Sequence, residues 1–189
     1  LEKKSNPGKE EEWELLEKAI PEIKSMFPFD LINLGCDEMP DKVWEKSHDI
    51  NDLKKQQGLE TTEDVQEWTM KRAARIVKKA GGRPAAWEVA GRGKNGGIGH
   101  DAVIFSWSGK EPGLKAVKDG YEVVMCPAQH VYFDMAHTDG HHEKGLNWAA
   151  NISMMDALCW DPVPEDDPEL ELKIIGIQGE LWSETVMED

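Results

Sequence analysis

No stretch of roughly 18 consecutive apolar residues occurs in this 189-residue chain, so no membrane-crossing helix is expected. Positive charge is also scarce. Lys and Arg number 22 against 37 Asp and Glu, which leaves a formal net charge of −15. A balance that negative argues against nucleic acid or an anionic membrane surface as partner. Three cysteines, Cys36, Cys126 and Cys159, are too few and too scattered for a disulfide framework or a zinc motif. Cys36 and Cys126 fall in expected strands and read as buried thiols. The first residues, Leu1-Glu2-Lys3-Lys4, carry neither a start Met nor a signal-peptide pattern. They read as the start of a piece of a longer chain. Internal repeats and low-complexity tracts are lacking as well.

Tryptophan is in excess. Eight Trp stand against two Tyr and four Phe. Trp is an ordinary core residue, so position decides its meaning. Trp13, Trp44, Trp68 and Trp160 read as packing. Trp87, Trp107 and Trp182 each lie at or just past the end of an expected strand.

The chain alternates helical and extended patterns. Residues 10–26 have helical periodicity, with Trp13, Leu16, Ile20 and Ile23 on one face and Pro28 as a stop. A strand is expected over 29–34, then a polar, loop-rich stretch over 39–60. Thr61-Thr62-Glu63-Asp64 looks like a helix start, with the helix ending at Gly81-Gly82. Strands are expected at 84–88, 102–107, 121–126 and 172–177, and short helices at 112–119 and 152–158. Between them lie a Gly-rich loop, 89–100, a long loop, 127–151, and a Pro- and acid-rich stretch, 161–167. Such alternation predicts an α/β fold with a parallel sheet and crossover helices. Five strands with polar residues at their C-terminal ends point to part of a (β/α)8 TIM barrel. A whole barrel needs about 250 residues, so the chain reads as roughly its second half.

Asp37-Glu38 is the most informative pair. It closes an apolar run, Phe29-Asp30-Leu31-Ile32-Asn33-Leu34, after Gly35-Cys36. Such a run stopped by Gly reads as a parallel strand covered on both faces. Barrel enzymes carry their chemistry where strands open into loops, and carboxylates near a core are costly unless paired or functional. Further strand-end residues are Trp87, Trp107, Tyr132, Asp134, Trp182 and Glu184. Carboxylates transfer protons and hold hydroxyls, and indole faces stack on the apolar face of a pyranose. The set describes a sugar site. His130, His137, His141 and His142 share one loop, but their spacing fits no standard metal site, so neither metal nor cofactor is expected.

On these blocks the sequence resembles glycoside hydrolase family 20, the β-N-acetylhexosaminidases. The blocks are Asn33-Leu34-Gly35-Cys36-Asp37-Glu38 followed by Met39-Pro40 and Trp44; Ala86-Trp87-Glu88; Ser106-Trp107; Val124-Met125-Cys126-Pro127 leading to Tyr132-Phe133-Asp134; and Gly176-Ile177-Gln178-Gly179-Glu180-Leu181-Trp182-Ser183-Glu184. Asn6-Pro7-Gly8-Lys9-Glu10 resembles the family's lead into the helix before strand four. The resemblance spans nearly the whole chain. It implies strands four to eight of the barrel, with the first three βα units absent from this sequence.

The resemblance implies a retaining exo-β-N-acetylhexosaminidase that releases terminal GlcNAc or GalNAc from chito-oligosaccharides or glycoconjugates. In the family the substrate's own acetamido oxygen attacks the anomeric carbon, an exception to the usual two-carboxylate scheme. By that resemblance Glu38 is the general acid and then the base, Asp37 orients the acetamido N–H, and the Tyr132 hydroxyl holds the acetamido oxygen. Trp87, Trp107, Trp148 and Trp182 would wall the acetamido pocket. Asp134 and Glu184 would accept from sugar hydroxyls, O4 and O6 in the case of Glu184. Family members are often secreted, periplasmic or lysosomal.

Two positions depart from the family pattern: Asn33 replaces a His, and Cys36 replaces a Gly or Ala. The residues that the first three strands contribute to the terminal sugar are absent from this sequence. The 189 residues alone are therefore expected to be inactive or nearly so, unless they pair with the missing half-barrel or another copy. Two competing expectations remain. One is a non-catalytic sugar-binding or assembly half-barrel. The other is a barrel glycosidase of another family with two separated carboxylates.

Overall fold

Five strands form one sheet whose order follows the chain: β1 (Leu31–Asn33), β2 (Arg83–Trp87), β3 (Val103–Ser106), β4 (Glu122–Met125) and β5 (Ile174–Ile177). The pairs β1·β2 and β4·β5 are parallel. This computed structural model describes residues 5–37, 39, 44–163, 167–184 and 186. Its α-helices are α1 (Glu10–Met26), α2 (His48–Gln57), α3 (Thr62–Lys79), α4 (Lys110–Lys118), α5 (Ala128–Val131) and α6 (Met154–Leu158). The expected α/β architecture is what folds. Among the described residues no helix is long and apolar enough to cross a membrane.

The chain divides into two units, Leu1–Val103 and Ile104–Asp189. In the first, α1 and α3 pack through Trp13, Ile20, Ala73, Ile76 and Val77, with Ile32 of β1 against them. Burying such a side chain stabilises by about 1.5–3 kcal/mol. Trp13 meets Trp68 edge-on at 5.8 Å, and the Arg72 guanidinium lies 4.3 Å from the Trp13 ring centre. Helix α3 starts where the sequence placed it. The Thr61 hydroxyl accepts from the Asp64 N–H at 3.1 Å and the Asp64 carboxylate accepts from the Thr61 N–H at 2.8 Å, a complete capping box.

Two expectations are corrected here. The polar stretch 39–60 contains a helix, α2. Ser47 caps its start, Gly58 closes it in the left-handed region (φ 67°), and Ile50 and Leu53 pack on Trp44 and Val65. Only two of its ten residues are buried, so its periodicity is faint. Strand β1 was expected to be covered on both faces. Ile32 is covered by the α1–α3 cluster, but Leu31 is 40% exposed.

In the second unit β3 is buried along its length and α4 packs beside β4. The β4·β5 register shifts at Val123/Val124, a bulge of the kind that re-aims a strand. The loop 127–151 is more ordered than its composition implies. It opens with α5, and Met135 and Leu146 form a bridge. Strands β1 and β5 end the sheet order, and apolar side chains beside them are exposed, among them Phe29 (73%) and Ile177 (61%).

Candidate active site

In the first unit the backbone builds the carboxylate loop. The Asn33 side-chain oxygen accepts from the Gly35 N–H at 2.8 Å, which turns the chain off the end of β1. Gly35 (φ 73°) and Cys36 (φ 72°) then take consecutive left-handed conformations. Glycine adopts that region freely; a residue with a side chain does so at about 1 kcal/mol or more. The loop is tied on three sides. Leu34 N–H donates to the Ala85 carbonyl (2.8 Å), Trp87 N–H to the Gly35 carbonyl (2.9 Å), and the Gln66 amide to the Cys36 carbonyl (3.5 Å). Burial, then the neighbouring Asp37 charge, push the Cys36 thiol up to about 12. Asp37 is half-buried directly beyond. Glu38 lies outside the described residues.

Trp87 ends β2, next to the strand that launches this loop, and is half-buried. After it Glu88 is buried and paired with Arg92 at 3.2 Å. Buried Glu67 of α3 fixes the glycine-rich segment that follows, accepting from Lys71 (3.0 Å) and from the Asn95 N–H (3.1 Å).

In the second unit side-chain packing gathers the candidate residues. Trp107 follows β3, and its carbonyl accepts from the Ala128 N–H at 2.8 Å, which starts the turn of α5 towards Tyr132. Tyr132 is buried. Its ring centre lies 5.9 Å from Trp148, nearly edge-on, and 6.1 Å from Trp182; Trp148 lies 6.0 Å from Trp107. Edge-on aromatic pairs at these distances add roughly 0.5–1.5 kcal/mol each beyond area burial. Trp107, Tyr132, Trp148 and Trp182 are thus brought together. Trp148 and Trp182 remain partly open to solvent, at 54% and 39% exposure.

Two crossings hold this cluster. Phe133 N–H donates to the Glu180 carbonyl (2.7 Å) and Glu180 N–H to the Val131 carbonyl (2.8 Å), pairing Tyr132 with Glu180. Leu146 N–H donates to the Asp134 carbonyl (2.8 Å) and Ala136 N–H to the Leu146 carbonyl (2.6 Å). At the second crossing a side chain on Gly145 would stand 2.4 Å from the Ala136 nitrogen, so only glycine fits. That crossing sets Trp148 three residues on.

The Tyr132 hydroxyl is held firmly protonated. Burial raises it most, Cys126, Glu180 and Asp134 add to this, and a hydrogen bond with Trp182 opposes it. Asp134 is buried, and neither of its carboxylate oxygens has a hydrogen-bond partner among the described residues. Glu184 is exposed. Glu180, which the strand-end pattern does not single out, is half-buried beside Tyr132 and accepts from the Gln178 amide at 2.6 Å. Burial, then Asp134, raise its carboxyl, while Gln178 lowers it. Its placement depends on pairing with a segment almost fifty residues away, which periodicity does not report. Of the histidines, His130 stacks on Trp160 at 5.5 Å. Among the described residues no group of three His, Cys, Asp or Glu could hold a metal ion.

Each of Asp37, Trp87, Trp107, Tyr132 and Trp182 lies at or beyond the C-terminal end of its own strand, where α/β barrels keep their chemistry. The parallel sheet with residues of this kind at its strand ends is that of a (β/α)8-type fold. Residues 2–189 match the model of the glycosyl hydrolase family 20 catalytic domain, and the chain belongs to that family. It is 32% identical over 177 residues to a β-hexosaminidase of Vibrio furnissii, covering 92% of this chain and 28% of that protein. It is 25% identical to a β-hexosaminidase of Porphyromonas gingivalis, covering 94% of this chain and 22% of the other. The crystal structure of an exo-β-N-acetylglucosaminidase of Vibrio harveyi in complex with N-acetylglucosamine aligns at a TM-score of 0.88 and 33% identity, covering 97% of this chain and 29% of that one. The chain therefore spans less than a third of the length of these relatives.

Proposed function

We propose that the protein containing this chain is a retaining exo-β-N-acetylhexosaminidase acting on oligosaccharides or glycoconjugates that end in N-acetylhexosamine. The observation that carries the reading is Asp37 on a tied loop at the end of β1, followed in the sequence by Glu38, within a chain that matches the family's catalytic domain. The acetamido oxygen of the substrate attacks the anomeric carbon as the glycosidic bond breaks, giving an oxazolinium ion. Glu38 gives its proton to the leaving oxygen, then takes one from the water that opens the ring and restores the acetamide. Asp37 faces the acetamido nitrogen as positive charge develops there, and a fixed carboxylate lowers the barrier because it needs no reorganisation. The Tyr132 hydroxyl, kept protonated by its surroundings, donates to the acetamido oxygen and holds it in line.

Trp87, Trp107, Trp148 and Trp182 wall the acetamido group. Glu184 is open to solvent and accepts directly from sugar hydroxyls. Asp134 is the second acceptor for sugar hydroxyls, its carboxylate oxygens having no hydrogen-bond partner among the described residues. The test is hydrolysis of para-nitrophenyl N-acetyl-β-glucosaminide by the full-length protein, with the plain glucoside as control. Turnover of the acetamido substrate alone, with strong inhibition by a GlcNAc thiazoline, supports this chemistry. Equal turnover of both substrates overturns it and favours a two-carboxylate glycosidase. Sugar binding without any turnover leaves a sugar-binding half-barrel.

A further inference from the structure

Helix α3 has two faces of different character. Gln66, Thr69, Met70 and Ala73 share one face and line a cavity that Asp37 also borders. Asp64, Glu67, Trp68 and Lys71 repeat the same spacing on another face and line a separate cleft of about 470 Å³. The two sets are offset by two residues, which turns the direction by about 200°, so the cleft faces away from Asp37. Small-molecule sites typically occupy roughly 300–1,000 Å³. The cleft lies wholly within the first unit.

Both of its rims are fixed. On one side Gly58 closes α2 in the left-handed region, and the Glu60 N–H donates to the Asp64 carboxylate at 3.1 Å. On the other, buried Glu67 accepts from Lys71 (3.0 Å) and from the Asn95 N–H (3.1 Å), and Lys71 also donates to the Asn95 carbonyl (2.8 Å). A side chain on Gly93 would stand 2.6 Å from the Glu67 carboxyl carbon, so the turn sits directly on that acid. These bonds use the backbone of Glu60 and Asn95, and both residues, with Lys94, are exposed at the rim. A rim held in this way needs little ordering when a ligand arrives.

The charge inside is nearly balanced, with Glu60, Asp64 and Glu67 against Lys71 and Lys94. Asp64 already accepts from two backbone N–H groups, and Glu67 from Lys71 and Asn95. A charged ligand would meet no surplus of opposite charge. The cleft offers instead the apolar wall of half-buried Trp68 and Leu59, and the amide, ammonium and carboxylate groups of Asn95, Lys94 and Glu60. Apolar surface beside spread donors and acceptors suits a molecule with an apolar ring face and many neutral hydroxyls. We propose that this cleft is a second saccharide site, which binds a short neutral oligosaccharide without cleaving it, since its two inner carboxylates are already occupied. The site goes beyond the proposed hydrolysis and does not depend on it.

The test is hydroxyl-radical footprinting of the full-length protein, read by peptide mass spectrometry at Trp68 and Leu59. The probe is the S-linked analogue of N,N′-diacetylchitobiose, which resists hydrolysis, with GlcNAc thiazoline in excess to fill the catalytic pocket. Both residues should be shielded as the disaccharide is added. Asn95→Ala keeps the backbone bonds to Glu67 and Lys71 and should raise the concentration for half-shielding about threefold. Combined with Lys94→Ala it should raise that concentration about tenfold. Both positions are exposed, so melting should be unchanged. Absence of shielding overturns the proposal. So does shielding seen only when thiazoline is left out, or shielding that the double variant leaves as it was. Stronger shielding by the de-N-acetylated, cationic disaccharide overturns the neutral ligand. The readout needs no turnover. An inactive protein that keeps the footprint fails the hydrolase reading alone, and an active one without it fails the second site alone.

Discussion

The two units hold their candidate residues by different physical means. In the first, the backbone carries the information: an Asn33 turn, two consecutive left-handed residues and three tying hydrogen bonds aim Asp37. In the second, side chains carry it, through a buried Tyr132 surrounded by Trp148 and Trp182, with Trp107 behind Trp148. A charge whose position decides a barrier needs a rigid mount, and backbone hydrogen bonds supply one. A surface that must match the shape of a sugar is better made of large flat rings. Damage should therefore read out differently: as lost turnover in the first unit, as weakened binding in the second.

The sharpest way to break the comparison is Asp37→Asn, which leaves the loop geometry in place and removes only the charge. Turnover by the full-length protein should fall about 10²- to 10³-fold with KM moving much less. Unchanged kcat would refute the role given to Asp37. Next comes Trp148→Ala in the second unit. Loss of its ring contacts should raise KM about tenfold and alter kcat less, as measured by steady-state kinetics. A kcat-only effect there would erase the distinction between the units.

Smaller effects sharpen it. Cys36→Val forces a β-branched side chain into a φ of 72° and should cost about 1–2 kcal/mol in thermal or urea unfolding, whereas Cys36→Gly should be neutral or slightly stabilising. Thr61→Ala removes a helix cap from the scaffold and should cost about 1 kcal/mol with kinetics unchanged. The mildest test is labelling. With its thiol raised to about 12, Cys36 lacks thiolate at neutral pH, so iodoacetamide should mark the exposed Cys159 well before it. Peptide mapping shows the order.

Long periodic segments were legible in the sequence. Helix α1 runs over the expected residues, and α3 begins at the expected cap because Thr61 and Asp64 are local signals. Helix α2 was not legible, because its stability comes from two buried side chains docking on distant Trp44 and Val65. Asp37, Trp87, Trp107 and Trp182 were legible as residues at or beyond strand ends. The part played by Asn33 was not: in the sequence it is only a departure from the family pattern, and in the structure it makes the turn off the end of β1. Glu180 was hidden for the same reason as α2, since its meaning lies in a pairing across the chain.

The crossing at Gly145 reaches beyond catalysis. It and the Ile152-to-Ala136 hydrogen bond (2.9 Å) clasp both stems of an exposed tip, residues 137–144, where three of the histidines lie. Whatever happens to the tip stays outside that clasp. A protease could nick it, or an engineer could splice a peptide into it, and Trp148 would still be held against Tyr132 by ladders on the near side of the cut. The tip is the place where this molecule can be opened, tagged or lengthened without its aromatic cluster coming apart.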